Sequence, residues 1–508
     1  MLQKYPIGIQ NFRKIRQGGY VYVDKTKEIH QLVTTGEYYF LSRPRRFGKS
    51  LLVDTIEELF GGSQQLFKGL WIHDQWDWTR SNPVIHFSFA NLAYEYVGLT
   101  EAIDRAIAKN AENLGVEIAG DNIKDCFKEL IEKASLKGKV VILIDEYDKP
   151  IIDFLDQPEV VESNRSTMQS FYSILKDADR YIRFLLITGV SQFSKVSIFS
   201  GLNNLDNITL EEQFGNIVGI TQQELEENFS GEIAELQKKE PDILAQIKDW
   251  YNGYTWDLQT SVYNPFSLLK YMRYRKFQNY WFETGTPGFL VKILRKHTIY
   301  DIEGMVLSDL SLSTFDTEHP NPGSLLFQTG YLTIKGTLDD GDLYKLGYPN
   351  REVKESLVDG LLSAYRGAPW KESKGLAANI RAALHTKDTA ALVKELNGLI
   401  ARIPFDYWRA DTESIFTIIS FLTFTLVGVK VYCEVHNAGG RCDVLIKTEK
   451  YIYVLELKLD GTAAEALAQI KEKGYLQPYA ADPRKKIAIG ISFSSETRGV
   501  EEYLVEEL

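Results

Sequence analysis

Four short apolar runs, Tyr38 to Leu41, Val84 to Phe89, Val140 to Ile144 and Phe184 to Ile187, punctuate the first part of the chain. Their near-continuous apolar character predicts strands buried on both faces, and the segments between them are long enough for helical crossovers. That alternation reads as a doubly wound α/β layer. Past about Gly219 the texture changes to charged helical sequence, as in Glu224-Leu225-Glu226-Glu227 and Leu236 to Glu240, and stays mostly helical to about residue 390. Asn252-Gly253, Asn264-Pro265, Pro287-Gly288 and Pro320 to Gly323 mark turns within it. From about residue 405 a helix, Ser414 to Leu426, precedes strands near Lys430 to Val435, Cys442 to Lys447 and Tyr451 to Lys458 and a helix from Ala463. The pattern therefore predicts three domains: residues 1–218, a doubly wound sheet; 219–400, a helical middle region; and 401–508, a small second α/β unit.

Composition narrows the class. With 508 residues, 44% hydrophobic and 25% charged, the chain has the makeup of a globular protein with several cores. A net charge of −11 excludes a surface that is basic throughout, so any nucleic-acid contact has to come from a local groove. Three cysteines, Cys126, Cys433 and Cys442, form neither a disulfide framework nor a metal quartet, which fits a reducing, cytoplasmic setting. The N-terminus lacks the basic-then-apolar pattern of a secretory signal. The longest uncharged run, Ser414 to Val429, contains Thr417, Ser420, Thr423 and Thr425, which predicts a buried helix and no membrane span.

The first candidate chemistry lies where Tyr39 to Ser42 turns through Arg43-Pro44-Arg45-Arg46-Phe47 into Gly48-Lys49-Ser50-Leu51. A strand, a loop and a helix start in that order suit phosphate: backbone N–H groups and the helix N-terminus face the anion, Lys49 reaches the β and γ phosphates, and Ser50 ligates magnesium. Arg43 occupies the position where such loops usually begin with glycine. The strand Val140 to Ile144 ends in Asp145-Glu146, placing one acid for the magnesium shell and a second to orient the attacking water. Thr188, Ser191 or Gln192, at the end of the next strand, could sense the γ phosphate, and Arg165, Arg180 and Arg183 are arginine-finger candidates among which spacing does not choose.

The second lies near the C-terminus. Gly439-Gly440-Arg441-Cys442-Asp443 opens one strand and Tyr451 to Lys458 forms the next, predicting a hairpin. Alternation puts Glu456 and Lys458 on one face, where Asp443 from the neighbouring strand can join them. Two acids and a lysine at one sheet end suit a magnesium site for phosphodiester hydrolysis. Lys471, Lys473, Arg484, Lys485 and Lys486 follow, either as phosphate contacts or as solvated faces.

Tyr22-Val23-Asp24-Lys25-Thr26, Ser42 to Ser50, Leu143 to Asp148 and Phe199 to Leu205 resemble the bacterial AAA-ATPase-like family whose members end in a PD-(D/E)xK nuclease domain. The resemblance implies a P-loop NTPase-type sheet followed by a restriction-endonuclease-like C-terminal domain. It implies ATP and Mg²⁺ as cofactors, with Arg45, Arg46, Phe47, Gly48, Lys49, Ser50, Leu51 and Asp145 around the nucleotide and Glu146 as the catalytic carboxylate facing the attacking water. In the C-terminal domain it implies Asp443 and Glu456 as metal ligands joined by Glu434, with Glu413 a weaker candidate, and Lys458 as the residue that positions or deprotonates water. Gln469 and Tyr475 match the family's glutamine-bearing helix; Trp250 to Tyr254 and Tyr263 to Ser267 extend the resemblance, and by analogy with related ATPases the second of these is either a lid near the nucleotide base or a helix start with aromatic packing. The expected activity is ATP hydrolysis with metal-dependent nuclease action on DNA, in defence against mobile DNA or in repair, and a homo-oligomer stays open. The alternative is an ATP-dependent regulatory switch or remodeller whose C-terminal domain holds nucleic acid or a partner without cutting.

Overall fold

Tyr38–Ser42 (β1), Val84–Ser88 (β2), Val140–Asp145 (β3), Ile182–Gly189 (β4) and the short Asp206–Asn207 (β5) form a five-stranded sheet in the order β2-β3-β4-β1-β5, every pairing parallel. They are seen in a computed structural model that describes residues 4–193, 198–199, 202–281, 290, 293–295, 297–314, 321–367, 373–404, 412–428, 432–437 and 442–508, with backbone alone at 313, 412–414, 432–437 and 442–443. Every residue of β3 is buried, the pattern a central strand shows when helices cover both faces. Crossover helices include Lys49–Phe60 (α1), which follows β1, and Leu99–Leu114, Ile123–Ala134 and Pro158–Asp177. The carboxyl ends of β1, β3 and β4, at Ser42, Asp145 and Gly189, lie side by side, where ligands bind in open parallel sheets.

Two compact units are present, Met1–Gly285 with Ile302–Asn350 and Thr286–Asp301 with Arg351–Leu508. In the first, the helices Gln222–Asn228, Ser230–Lys239, Ile243–Tyr251 and Pro265–Tyr274 pack around Leu225, Phe229, Ile247, Tyr251 and Leu268, and Tyr5, Ile7, Val21 and Val23 from the N-terminal segment close that core. The middle region is not helical throughout. Thr333–Leu338, Leu343–Gly347 and Val306–Ser308 form a three-stranded antiparallel sheet inside it. β-branched Thr333, Ile334 and Thr337 suit that pleat better than a helix.

The second unit contains the helices Arg351–Tyr365, Ser373–Thr386, Thr389–Ile400 and Thr412–Gly428 (α2). They precede a mixed sheet of Tyr432–Asn437 (β6), Cys442–Lys447 (β7), Tyr451–Leu459 (β8), Lys485–Ser494 (β9) and Gly499–Glu507 (β10), in the order β6-β7-β8-β9-β10. Only β8 and β9 run parallel, and the crossover between them is Ala463–Glu472 (α3). Thr462 and Glu465 start α3 with a reciprocal capping box. The helix lies so close to β9 that a Cβ on Gly490 would stand 2.3 Å from the Ala463 carbonyl oxygen. Glycine at that one position brings α3 down onto the sheet. Among the described residues no helix is long and apolar enough to cross a membrane, and the uncharged run predicted to be a buried helix is α2, with Phe416, Ile419, Leu422 and Phe424 in its core.

Candidate functional sites

The phosphate loop is built on a buried arginine. Arg43 is fully inaccessible, and its guanidinium donates to the backbone carbonyls of Ser42 (2.9 Å), Thr209 (2.7 Å) and Phe214 (3.2 Å). It lies 4.1 Å from the centre of the Trp256 ring. Burial pulls its pKa down to about 9, against the nearby charge of Asp257, so it stays charged at neutral pH. Where other loops begin with a flexible glycine, this one begins with a pinned cation. Pro44, the Arg45 carbonyl held by Trp281 Nε1 (3.0 Å) and the Phe47 carbonyl held by the Gly219 N–H (3.2 Å) fix the remainder. Phe47 is buried edge-on against Tyr254 and Trp256, at 4.7 and 5.5 Å between ring centres. Gly48 takes φ +102°, a left-handed turn that lets α1 begin at Lys49.

Lys49 is buried and donates to the carbonyls of Arg43 (2.7 Å) and Pro44 (3.0 Å). Burial lowers its pKa, and the carboxylates of Asp145, Glu146 and Asp148 act the other way. Asp145 accepts a 2.5 Å hydrogen bond from Thr188 Oγ1, so of the three polar residues at the end of β4 it is Thr188 that meets the β3 acid. Glu146 adopts φ +53°, a conformation a non-glycine residue rarely takes, and lines a cleft of about 440 Å³ with Arg45, Arg46, Lys49, Ser50 and Leu51. Pro265, Phe266 and Leu269 line its other side, so the Tyr263 to Ser267 segment is a helix start, capped by Asn264 Oδ1, and a wall of the cleft as well. An adjoining apolar pocket is lined by Ile15, Val21, Val23, Ile217, Val218 and Leu52. Lys25 of the N-terminal motif donates to Asn216 O and Glu224 Oε2, both at 2.8 Å, tying that segment to the helix Gln222–Asn228.

Spacing had not singled out Asp148. Its buried carboxylate accepts the N–H groups of Val190 (3.0 Å) and Ser191 (2.6 Å), and Tyr147 Oη accepts from Phe193 N (3.1 Å) while donating to Ser191 O (3.0 Å). Together they hold the β4 end against the segment that follows β3. A Cβ on Gly189 would meet the Tyr147 ring at 2.6 Å, which explains the glycine there. Burial raises the Asp148 pKa to about 6, opposed by those N–H donors and Lys49.

In the second unit Lys458 Nζ bridges Glu456 Oε1 (2.8 Å) and Gln469 Oε1 (2.5 Å). Glu456 is completely buried on the face of β8 that α3 covers. The strand register places Asp443 directly opposite Glu456, and His436 opposite Asp443. Glu434 falls opposite Leu445, two residues along from that row. The side chains of Glu413, Glu434 and Asp443 lie outside the described residues. Tyr475 packs on the apolar cluster of Ile452, Val454 and Ile470, with Lys473 Nζ 5.6 Å from its ring centre.

Four of the basic residues that follow have polar partners within the chain. Lys471 pairs with Glu506 (2.6 Å), Lys485 with Glu507 (2.7 Å) and Arg484 with Asp482 (2.7 Å), while Lys486 donates to the Asp482 carbonyl. Lys485 partners Tyr451 in the register and Ser492 partners Lys458. At about 3.3 Å per residue the two ends of β8 are roughly 23 Å apart, so Lys485 sits at the end away from the acids.

Comparison with known proteins agrees with this geometry. Residues 6–199 match the family model described as Predicted AAA-ATPase, and residues 411–503 match the PD-(D/E)XK nuclease superfamily. An "Uncharacterized protein in vnfD 5'region" of Azotobacter chroococcum mcd 1 is 39% identical over 520 residues, covering 100% of this chain and 99% of that protein. No solved structure matches the chain. With a phosphate loop on a parallel sheet, an acid–lysine–glutamine cluster on a mixed one, and a relative alike from end to end, the chain belongs to the AAA-ATPase-like family that carries a C-terminal PD-(D/E)XK nuclease superfamily domain.

Proposed function

We propose that the chain binds and hydrolyses ATP at the Lys49 cleft and that its C-terminal domain is a magnesium-dependent nuclease acting on DNA, with nucleotide state controlling cleavage, in defence against mobile DNA or in repair. The observation that carries the nuclease reading is the Lys458 bridge between Glu456 and Gln469, in register with Asp443.

In the first unit, the Ser50 hydroxyl and the Asp145 carboxylate, itself oriented by Thr188, are hard oxygen donors of the kind magnesium prefers, and the ion supplies charge neutralisation on the phosphate oxygens when bound. Lys49 exchanges its carbonyl partners for the β and γ phosphates. Glu146 orients the attacking water and takes its proton. The adjoining apolar pocket accepts the base.

In the second unit, Asp443 and Glu456 would hold a divalent ion, which when bound would polarise the scissile phosphate. A buried carboxylate that already faces an ammonium is a fitting ligand for it. Lys458 is kept pointing along the sheet face by Gln469 and positions the hydrolytic water.

The test incubates the full chain with single- and double-stranded DNA and with RNA, with Mg²⁺ or Mn²⁺, with and without ATP, beside Lys49→Ala, Glu146→Gln and Lys458→Ala. Metal-dependent DNA cleavage lost in Lys458→Ala and altered in Glu146→Gln supports the proposal. A folded wild type that cuts nothing under any condition and matches Lys458→Ala overturns the nuclease half. DNA retention without cutting points to a switch that binds but does not cleave.

A further inference from the structure

Phosphoryl transfer to water spreads negative charge over the γ-phosphate oxygens and the departing β-γ bridging oxygen, and an arginine at that point raises turnover by orders of magnitude. The three arginines that spacing offered do not reach the cleft of their own chain. Arg165 pairs with Glu162 (2.8 Å), the Arg180 guanidinium lies 4.5 Å from the Tyr181 ring centre, and Arg183 donates to Val33 O (3.2 Å). Arg183 stands near the start of β4, roughly 20 Å along the strand from Gly189 at about 3.3 Å per residue.

The phosphate loop itself carries another. Arg45 is exposed in the cleft beside Lys49, Ser50 and Glu146, and its charge is near enough to push the Lys49 pKa down. Its backbone is anchored by Trp281 at 3.0 Å, and Gly330 packs so closely on Pro44 that a Cβ there would stand 2.7 Å away. The Arg45 guanidinium has no hydrogen-bond or ion-pair partner among the described residues. The cleft's other cations are engaged: the Arg46 guanidinium lies over Phe266 at 4.9 Å, and Lys149 pairs with Asp153. The loop thus presents, in the cleft that Lys49, Ser50 and Glu146 also line, an arginine with no hydrogen-bond or ion-pair partner among the described residues.

We propose that Arg45 contacts the γ-phosphate in cis and supplies the transition-state cation, so that hydrolysis needs no arginine from a neighbouring subunit. The proposal rests on the ATPase reading above. In the step, the water oxygen bonds to Pγ as the bond from Pγ to the bridging oxygen breaks. ADP leaves with that electron pair, Glu146 takes the water proton, and Arg45 balances the charge gathering on the γ and bridging oxygens.

The experiment measures steady-state ATP turnover by the full chain across about a hundredfold range of protein concentration, for wild type, Arg45→Ala and Arg45→Lys, with Lys49→Ala and Glu146→Gln as controls. The expected result is wild-type turnover per chain that does not change with concentration. Arg45→Ala should lower kcat about 10³-fold with KM for ATP shifted only a few-fold, and Arg45→Lys should fall between them. Arg45→Ala should still bind ADP but not ADP with aluminium fluoride. Wild-type kcat in Arg45→Ala, or turnover per chain that climbs with concentration, overturns the inference and leaves the ATPase reading intact. No wild-type turnover, or turnover indifferent to both controls, overturns the two together.

Discussion

The Arg43 guanidinium stacks 4.1 Å from the centre of the Trp256 ring, joining the first residue of the phosphate loop to the region that follows the parallel sheet. Its N–H groups end on carbonyls of Ser42, Thr209 and Phe214, so one side chain ties together the end of β1 and the chain that follows β5. The departure from the usual glycine is a structural replacement: conformational freedom has been exchanged for a buried charged peg.

Restoring the glycine should therefore harm the protein. Arg43→Gly leaves those buried carbonyls without donors and opens a cavity under Trp256, at a cost of about 3–5 kcal/mol. Arg43→Lys should recover only part of this, because an ammonium lacks the planar fork that reaches several carbonyls and the ring at once. Urea unfolding followed by tryptophan fluorescence checks it; a glycine variant as stable as wild type, with tighter ATP binding, would contradict the peg.

The strand runs and the Gly-Lys-Ser turn were legible because both are local patterns: burial on both faces writes continuous apolar sequence, and a helix start after a strand has its own residue preferences. The role of Arg43 was not legible, since its partners Thr209, Phe214 and Trp256 lie far along the chain. The same holds for Asp148, which in sequence is one more acid after Asp145-Glu146 and in space is the acceptor for Val190 and Ser191. Short amphipathic strands such as Leu343–Gly347 blend into a helical background. The placing of His436 in the Asp443–Glu456 row depends on pairing register, in which a slip of one residue reverses the face.

Asp148 predicts a pH dependence of unusual sign. Its pKa is about 6 in the folded chain and about 3.9 when unfolded, so between those values the folded state holds a proton that the unfolded state has lost. Stability from this group is complete below about pH 4 and is lost as pH rises through about 6, a loss of at most about 3 kcal/mol. Asp148→Asn cannot titrate. Relative to it, wild type should lose about 1.4 kcal/mol between pH 5 and 7.5 in paired urea melts; parallel curves for the two proteins would show that Asp148 stays ionised throughout.

Gly490 predicts a defect transmitted through α3. Gly490→Ala sets a methyl 2.3 Å from the Ala463 carbonyl oxygen and 2.8 Å from the Leu467 nitrogen, both backbone atoms, so the helix must lift. Overpacking of this kind costs about 1–3 kcal/mol. Gln469 rides on that helix and holds Lys458, so metal-dependent nuclease activity should fall at least about tenfold while ATP turnover stays at wild-type level. Equal losses in both activities would mean that the variant simply unfolds.

The buried Glu456 also predicts how the C-terminal sheet answers to metal. Lys458→Ala removes an ammonium 2.8 Å from a completely buried carboxylate, and breaking such a pair costs about 2–4 kcal/mol. A divalent ion at Glu456 and Asp443 supplies the missing positive charge and binds the folded form alone, adding stability by mass action. Hydrogen exchange of β8 and α3 in the full chain should therefore slow more on adding Mn²⁺ in Lys458→Ala than in wild type, where the resident ammonium and the metal compete for one carboxylate. Asp443→Ala with Glu456→Ala should show no metal response there. Exchange rates indifferent to Mn²⁺ in wild type and Lys458→Ala alike would mean that Glu456 is a structural ion-pair partner and that the row through Asp443 does not hold metal.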